Sequence, residues 1–294
     1  MSFSSKAKED LSKMNNLNKK DQVKWELLGY LVSCNTTKDG NKFKFSTENE
    51  YNINRFGKIL KNCDINDYKI EIKGKVFSIR FKLNTNFDEI YIADNKIILN
   101  TDKIDTSEEL DKSFVRGIFL GSGYISNPEK KYHLEFSLSS NQNVLQVEKV
   151  LKKYDITTKV IEKANVYSLY IKEGEEISRF LAFIGANSTV LKFEEIRVIR
   201  DTKNNVNRLI NCETANFSKT IKAGAKQIED IKLIKSKRKF SELPDNLKEV
   251  ANVRLEHPDA SLSELVEYMN NTISKSGITH RLASISKIAD ELRD

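Results

Sequence analysis

The chain has 294 residues, 31% of them charged and 39% apolar, with a formal net charge of +7 at pH 7. That suits a globular protein of roughly two or three domains. No apolar run reaches the roughly 18 residues of a membrane span or forms a signal-peptide core, so the cytoplasm is the expected location. Cys34, Cys63 and Cys212 are too scattered for a disulfide framework, His133, His257 and His280 show no metal-ligand spacing, and the basic balance favours a polyanionic partner.

Residues 1–20 are polar and are expected to fray in part. Lys24–Val32 reads as an apolar helix, broken by Asn35–Gly40, and Phe43, Phe45 and Thr47 alternate with polar residues as in a strand. Ile53, Phe56, Ile59 and Leu60 recur at helical spacing in a helix ending near Asn62. Tyr68–Ile72 and Val76–Phe81 flank Lys73-Gly74-Lys75, a hairpin signal. A short helix or turn around Asp88–Ile92 closes this half.

The second half repeats that order. A helix spans Ser107–Leu120, with Ser107 as its N-cap before Glu108 and Glu109. A hairpin turns at Asn127-Pro128-Glu129-Lys130 and returns along Tyr132–Leu138. Val144, Val147, Val150 and Leu151 mark a helix, followed by strands at Thr158–Ile161 and Val166–Ile171 and a helix at Glu175–Phe183. Each half therefore reads as helix, two strands, helix, two strands, helix.

Shared residues support a duplication. Gly29 in Trp25–Val32 and Gly117 in Phe114–Gly123 lie 88 positions apart (117 − 29). Ile59–Ile65 matches Val150–Ile156 at an offset of 91 (150 − 59), and Val76–Lys82 matches Val166–Lys172 at 90 (166 − 76). A mid-helix glycine costs about 1 kcal/mol relative to alanine. Two matched ones point to helices packed closely at a pseudo-two-fold axis.

Val206, Ile210, Phe217, Ile221, Ile228 and Ile231 keep a helical period, so residues 201–240 read as a long linking helix with Gly224 as its candidate break. Lys232, Lys235, Lys237, Arg238 and Lys239 make a basic run there. Pro244 then opens a helix that ends at His257-Pro258. Ser261-Leu262-Ser263-Glu264 has the capping-box pattern, and after Asn270–Ile273 a third helix starts at Ser274 with Ile278, Leu282, Ile285 and Ala289 inward. Two short helices, a tight turn and a third helix make a helix-turn-helix, spanning Ala260 to Leu292. Opposite the apolar stripe lie Ser276, His280, Ser284 and Lys287, flanked by Lys275, Thr279 and Arg281.

The two glycine-bearing helices resemble the LAGLIDADG helices of homing endonucleases. In that motif the eighth position is an acidic metal ligand; here it holds Cys34 and Ser122, so the resemblance implies the fold without the activity. Gly117–Gly123, Asn127–Glu135, Asn207–Asn216, His257-Pro258 with Ser261-Leu262, and Ile273–Leu282 together resemble the WhiA family. That resemblance implies a bacterial DNA-binding regulator of cell division and chromosome segregation, and of sporulation in some relatives.

The expected fold is α+β: tandem LAGLIDADG-like α-β-β-α-β-β-α repeats at 1–105 and 106–200, a linking helix and basic linker at 201–240, and an all-α helix-turn-helix at 241–294. The expected function is non-enzymatic and sequence-specific. Lys275, Ser276, Thr279, His280, Arg281, Ser284 and Lys287 would touch DNA, with Lys237 and Arg238 on phosphates. No metal or cofactor is expected. Double-stranded DNA is the expected partner, with a protein partner on the repeated domain, and the protein is expected in the cytoplasm at the nucleoid. The alternatives are an interaction protein with non-specific DNA binding and an active endonuclease.

Overall fold

A computed structural model describes residues 2–83, 87–100, 106–163, 166–237 and 239–293. The chain divides into two compact units, Met1–Asp201 and Thr202–Asp294. The first is α+β and internally repeated. Helix α2 (Lys20–Val32), strands β1 (Thr36–Asp39) and β2 (Lys42–Thr47), helix α3 (Glu50–Asn62) and strands β3 (Tyr68–Lys73) and β4 (Val76–Phe81) form the first repeat. The second comprises α4 (Glu108–Ser122), β7 (Tyr124–Ile125), β8 (Leu134–Leu138), α5 (Asn141–Lys152), β9 (Lys159–Lys163), β10 (Val166–Ile171) and α6 (Gly174–Phe183). Both sheets are antiparallel, with matching orders β1-β2-β4-β3 and β7-β8-β10-β9.

Local chemistry is repeated as well. In β4 and β10 burial follows the same residue-by-residue pattern, and Ser46 pairs with Ser78 (2.9 Å) as Ser137 does with Ser168 (2.7 Å). After α3 and α5 the chain turns through Asp64 (φ 59°) and Asp155 (φ 55°), a left-handed conformation that Asp tolerates better than most residues. Each turn is closed by a matching bond, Ile65 N to Leu60 O and Ile156 N to Leu151 O.

Helices α2 and α4 form the centre of this unit. A Cβ on Gly29 would stand 2.7 Å from the Ile118 nitrogen, and one on Gly117 2.9 Å from the Glu26 carbonyl carbon. The glycines therefore let two backbones touch, as their spacing predicts. Around the crossing, Tyr30, Phe45, Phe56 and Phe81 pack with neighbouring ring centroids 4.7 to 5.4 Å apart.

Four expectations need correction or refinement. Residues 3–12 do not fray: they form α1 (Phe3–Ser12), which buries Ala7 and Leu11. Asn35–Gly40 does lie beyond the end of α2 at Val32, but Thr36–Asp39 within it is also a strand, β1, because Thr37 and Lys38 pair with Lys44 and Phe43. Around Asp88–Ile92 the expected helix or turn is a turn at Asp88-Glu89 that leads into a hairpin, β5 (Ile90–Ala93) and β6 (Lys96–Leu99), whose turn residues Asp94 and Asn95 take positive φ. It stands where the second repeat has α6. Finally, α7 runs unbroken from Asn187 to Ser236. Gly224 is no break; a Cβ there would stand 2.7 Å from the Pro258 carbonyl oxygen, so the glycine permits a close approach.

The second unit contains α7 from Thr202 onward, a 3-10 turn (Phe240–Glu242), α8 (Asp245–Glu256), α9 (Leu262–Tyr268) and α10 (Lys275–Glu291). Its core joins Ile231 and Ile234 to Val250, Leu265, Met269, Ile278, Leu282, Ile285 and Ala289.

Candidate nucleic-acid interface and the degenerate metal positions

The helix-turn-helix is set by its caps and turn. Ser261 Oγ accepts from Glu264 N (3.3 Å) while Glu264 accepts from Ser261 N (2.7 Å), the reciprocal capping box its sequence pattern predicts. These bonds hold the Glu264 carboxyl below its ordinary range. Between α9 and α10, Asn270 (φ 52°) and Asn271 (φ 58°) are both left-handed, and Asn271 N closes the turn on Val266 O (2.9 Å). Asparagine is among the residues that adopt this conformation most readily. Ser274 then caps α10 through Gly277 N (3.2 Å). Behind the turn, buried Arg254 donates from one Nη to the carbonyls of His257, Pro258 and Ala260, which fixes the entry to α9. Burial lowers its pKa from the ordinary value.

On α10, Lys275, Ser276, Thr279, His280 and Lys287 are exposed, while Arg281 and Ser284 are half-buried. Ser276, His280 and Lys287 share one face; Thr279 and Ser284 donate their hydroxyls back to the carbonyls of Lys275 and His280. Arg281 stands apart from this group. Its guanidinium donates to Asn246 O (3.2 Å) and lies 3.6 Å from the Glu249 carboxylate, tying α10 to α8. Lys237 is exposed just beyond α7. Arg238 lies outside the described residues.

Cys34 and Ser122 sit just past the end of α2 and at the end of α4. Ser122 Oγ donates to Ser137 O (2.6 Å) and accepts from Ser137 N (3.2 Å), so strand β8 engages the hydroxyl on both sides. Cys34 N donates to the same carbonyl (3.1 Å). Burial pushes the Cys34 thiol up, which keeps it neutral at physiological pH. Hard divalent cations require anionic or carbonyl oxygens, and a neutral thiol beside an engaged hydroxyl supplies neither charge nor chelation. Among the described residues, no group of three or more His, Cys, Asp or Glu side chains could hold a metal ion.

Two features escape sequence reasoning. The first is a buried ionic cluster at the helix crossing: Glu26 Oε1 accepts from Arg55 Nε (2.5 Å), and its Oε2 accepts from Arg55 Nη2 (2.8 Å) and Arg116 Nη1 (3.3 Å). Arg116 also donates to Ile184 O, and Arg55 to Met14 O and Asn16. All three charged side chains are almost wholly enclosed. A single Glu in an apolar helix gives no sign of partners 29 and 90 residues away. The second is Lys8 on α1, whose ammonium burial pushes down to about 8. Nothing in its neighbouring sequence marks it.

Comparison with known proteins identifies two family domains in the chain. A WhiA LAGLIDADG-like domain matches residues 111–203 and a WhiA C-terminal helix-turn-helix domain matches 206–289. The "Probable cell division protein WhiA" of Clostridium tetani is 38% identical over 99% of this chain and 98% of its own length. Its Clostridium acetobutylicum counterpart is 38% identical over 100% and 99%. Full-length DUF199/WhiA from Thermotoga maritima superposes with a TM-score of 0.60 at 29% identity, covering 99% of each chain. The N-terminal LAGLIDADG domain of DUF199/WhiA gives 0.51 at 26% identity, over 63% of this chain and 92% of that one. With a paired-glycine helix crossing, two matching sheets and a C-terminal helix-turn-helix, this chain belongs to the WhiA family.

Proposed function

We propose that this chain is a non-enzymatic, sequence-specific regulator that binds double-stranded DNA through α10, in the cytoplasm at the nucleoid, and acts in cell division and chromosome segregation. The exposed face of α10 carries the reading. It presents Ser276, His280 and Lys287 with Lys275 and Thr279 beside them, and no acidic residue occurs between Lys275 and Ala289. Such a face on the third helix of a helix-turn-helix suits a major groove, and the relatives' name supplies the cell-division role.

Loss of a base contact costs about 1–3 kcal/mol at one position, whereas loss of a phosphate contact weakens all sequences and lowers the salt slope by about one. His280→Ala should therefore reduce binding to a selected duplex more than to random DNA, and Lys237→Ala should reduce both equally. An unchanged specific-to-random ratio in His280→Ala refutes α10 as the reader. A second reading, an interaction protein with non-specific DNA contact, is favoured by Arg281, whose guanidinium is engaged with α8 rather than offered outward. Endonuclease activity is not part of the proposal, since Cys34 and Ser122 bring no carboxylate. Millimolar magnesium should neither raise the melting temperature nor permit plasmid nicking, and chelator-sensitive nicking would overturn this.

A further inference from the structure

Helix α1 precedes both repeats and is anchored at each end. At its start Ile125 N donates to Ser4 Oγ (3.3 Å) and Asn49 Nδ2 to Ser5 Oγ (3.0 Å). At its end the Asp10 carboxylate accepts from Thr189 N and Oγ1 (both 3.0 Å) and from Ser188 Oγ (2.8 Å), capping the first turn of α7. Between these anchors α1 presents Lys8 to an open pocket of about 810 Å³, bounded by Asn35 just past α2 and Gly123 just past α4.

The pocket is cationic. Lys8 and Lys75 line it against one acid, Glu48. The cap residues of two helices, Ser2 of α1 and Asn49 of α3, also line it, so two helix N-termini contribute partial positive charge. Lys8 is half-buried, its ammonium pairs with no carboxylate among the described residues, and burial takes its pKa to about 8. An ammonium removed from water without a counter-ion is costly, and an anion seated against it offsets that cost. Ser5, Ser46 and Tyr124 add neutral hydroxyls, which suit an oxyanion without repelling it.

The geometry points to this pocket as a binding site for a phosphate group, with Lys8 as the principal counter-charge and Lys75 and the two helix N-termini in support. The phosphate oxygens present the same chemistry whether they belong to a free nucleotide or to a nucleic-acid strand.

Calorimetric titration of the full chain with inorganic phosphate, with AMP and with a short random duplex tests the site and separates the sources. Lys8→Gln should weaken AMP and phosphate binding by on the order of tenfold or more, Lys8→Arg should retain most of it, and Lys75→Gln should weaken it less. Removing an unpaired, half-buried cation should leave the melting temperature of Lys8→Gln at or above that of the parent, and exposed Lys75 offers a second variant with little bearing on folding. If Lys8→Gln leaves AMP binding intact but lowers the salt slope of duplex binding by about one, the phosphate belongs to the DNA backbone. If AMP binding is lost with the duplex slope unchanged, it belongs to a small phosphate ester. No effect of Lys8→Gln and Lys75→Gln on any of the three ligands overturns the site.

Discussion

Gly117→Ala tests the helix crossing by the sign of its effect. On an isolated helix, alanine in place of an interior glycine adds about 1 kcal/mol of stability. At this position the new Cβ would stand 2.9 Å from the Glu26 carbonyl carbon and 3.1 Å from Gly29 Cα, and closer still to the Glu26 oxygen. Those atoms belong to the facing backbone, so no side-chain rotation relieves the clash, and α2 and α4 must separate along their packed length. Overpacking costs about 1–3 kcal/mol, with the upper end appropriate to a rigid neighbour. Setting about 3 against a helical gain of about 1 leaves a net loss of about 2 kcal/mol. For a unit of this size that lowers the melting temperature by about 4–8 °C. Differential scanning calorimetry or thermal circular dichroism of the purified variant reads the outcome directly. A melting temperature that rises, as helix propensity alone requires, would refute the close crossing.

Glu26→Gln should leave the Arg55 and Arg116 guanidinium groups enclosed without a counter-charge, at a cost of about 3–5 kcal/mol. Urea unfolding checks this, and an unchanged midpoint would mean that the cluster adds nothing. Lys8 yields a pH dependence. Its folded pKa of about 8 lies below lysine's ordinary 10.5, so between those values the unfolded chain holds more protons and stability rises with pH. A shift of that size corresponds to at most about 3 kcal/mol, reduced by the partial exposure of the side chain. Because the thiols of Cys34 and Cys63 are raised and act in the opposite sense above pH 9, the informative quantity is the stability of the parent minus that of Lys8→Gln. That difference should grow from pH 8 to pH 10.5, and a flat difference would disprove the depressed ammonium.

Features that depend on neighbours within a few positions can be read from the residues alone. Mid-helix glycines, alternating strands, the Ser261–Glu264 capping box and the Asn270-Asn271 turn express local backbone preferences, so the duplicated α+β domain and the helix-turn-helix were legible before any fold was known. The Ala7 and Leu11 face of α1 was masked by its polar neighbours, and it becomes a helix worth burying only because the rest of the unit provides a surface for it. Gly224 reads as a break in isolation and functions as clearance for Pro258. Glu26 with Arg55 and Arg116, and Lys8 beside the pocket, depend on distances between residues far apart in the chain, and desolvation acts on a charge only once other elements have enclosed it. The same holds for Arg281: sequence spacing places it beside the reader face, and only the packing of α8 against α10 decides that its guanidinium is held by Asn246 and Glu249.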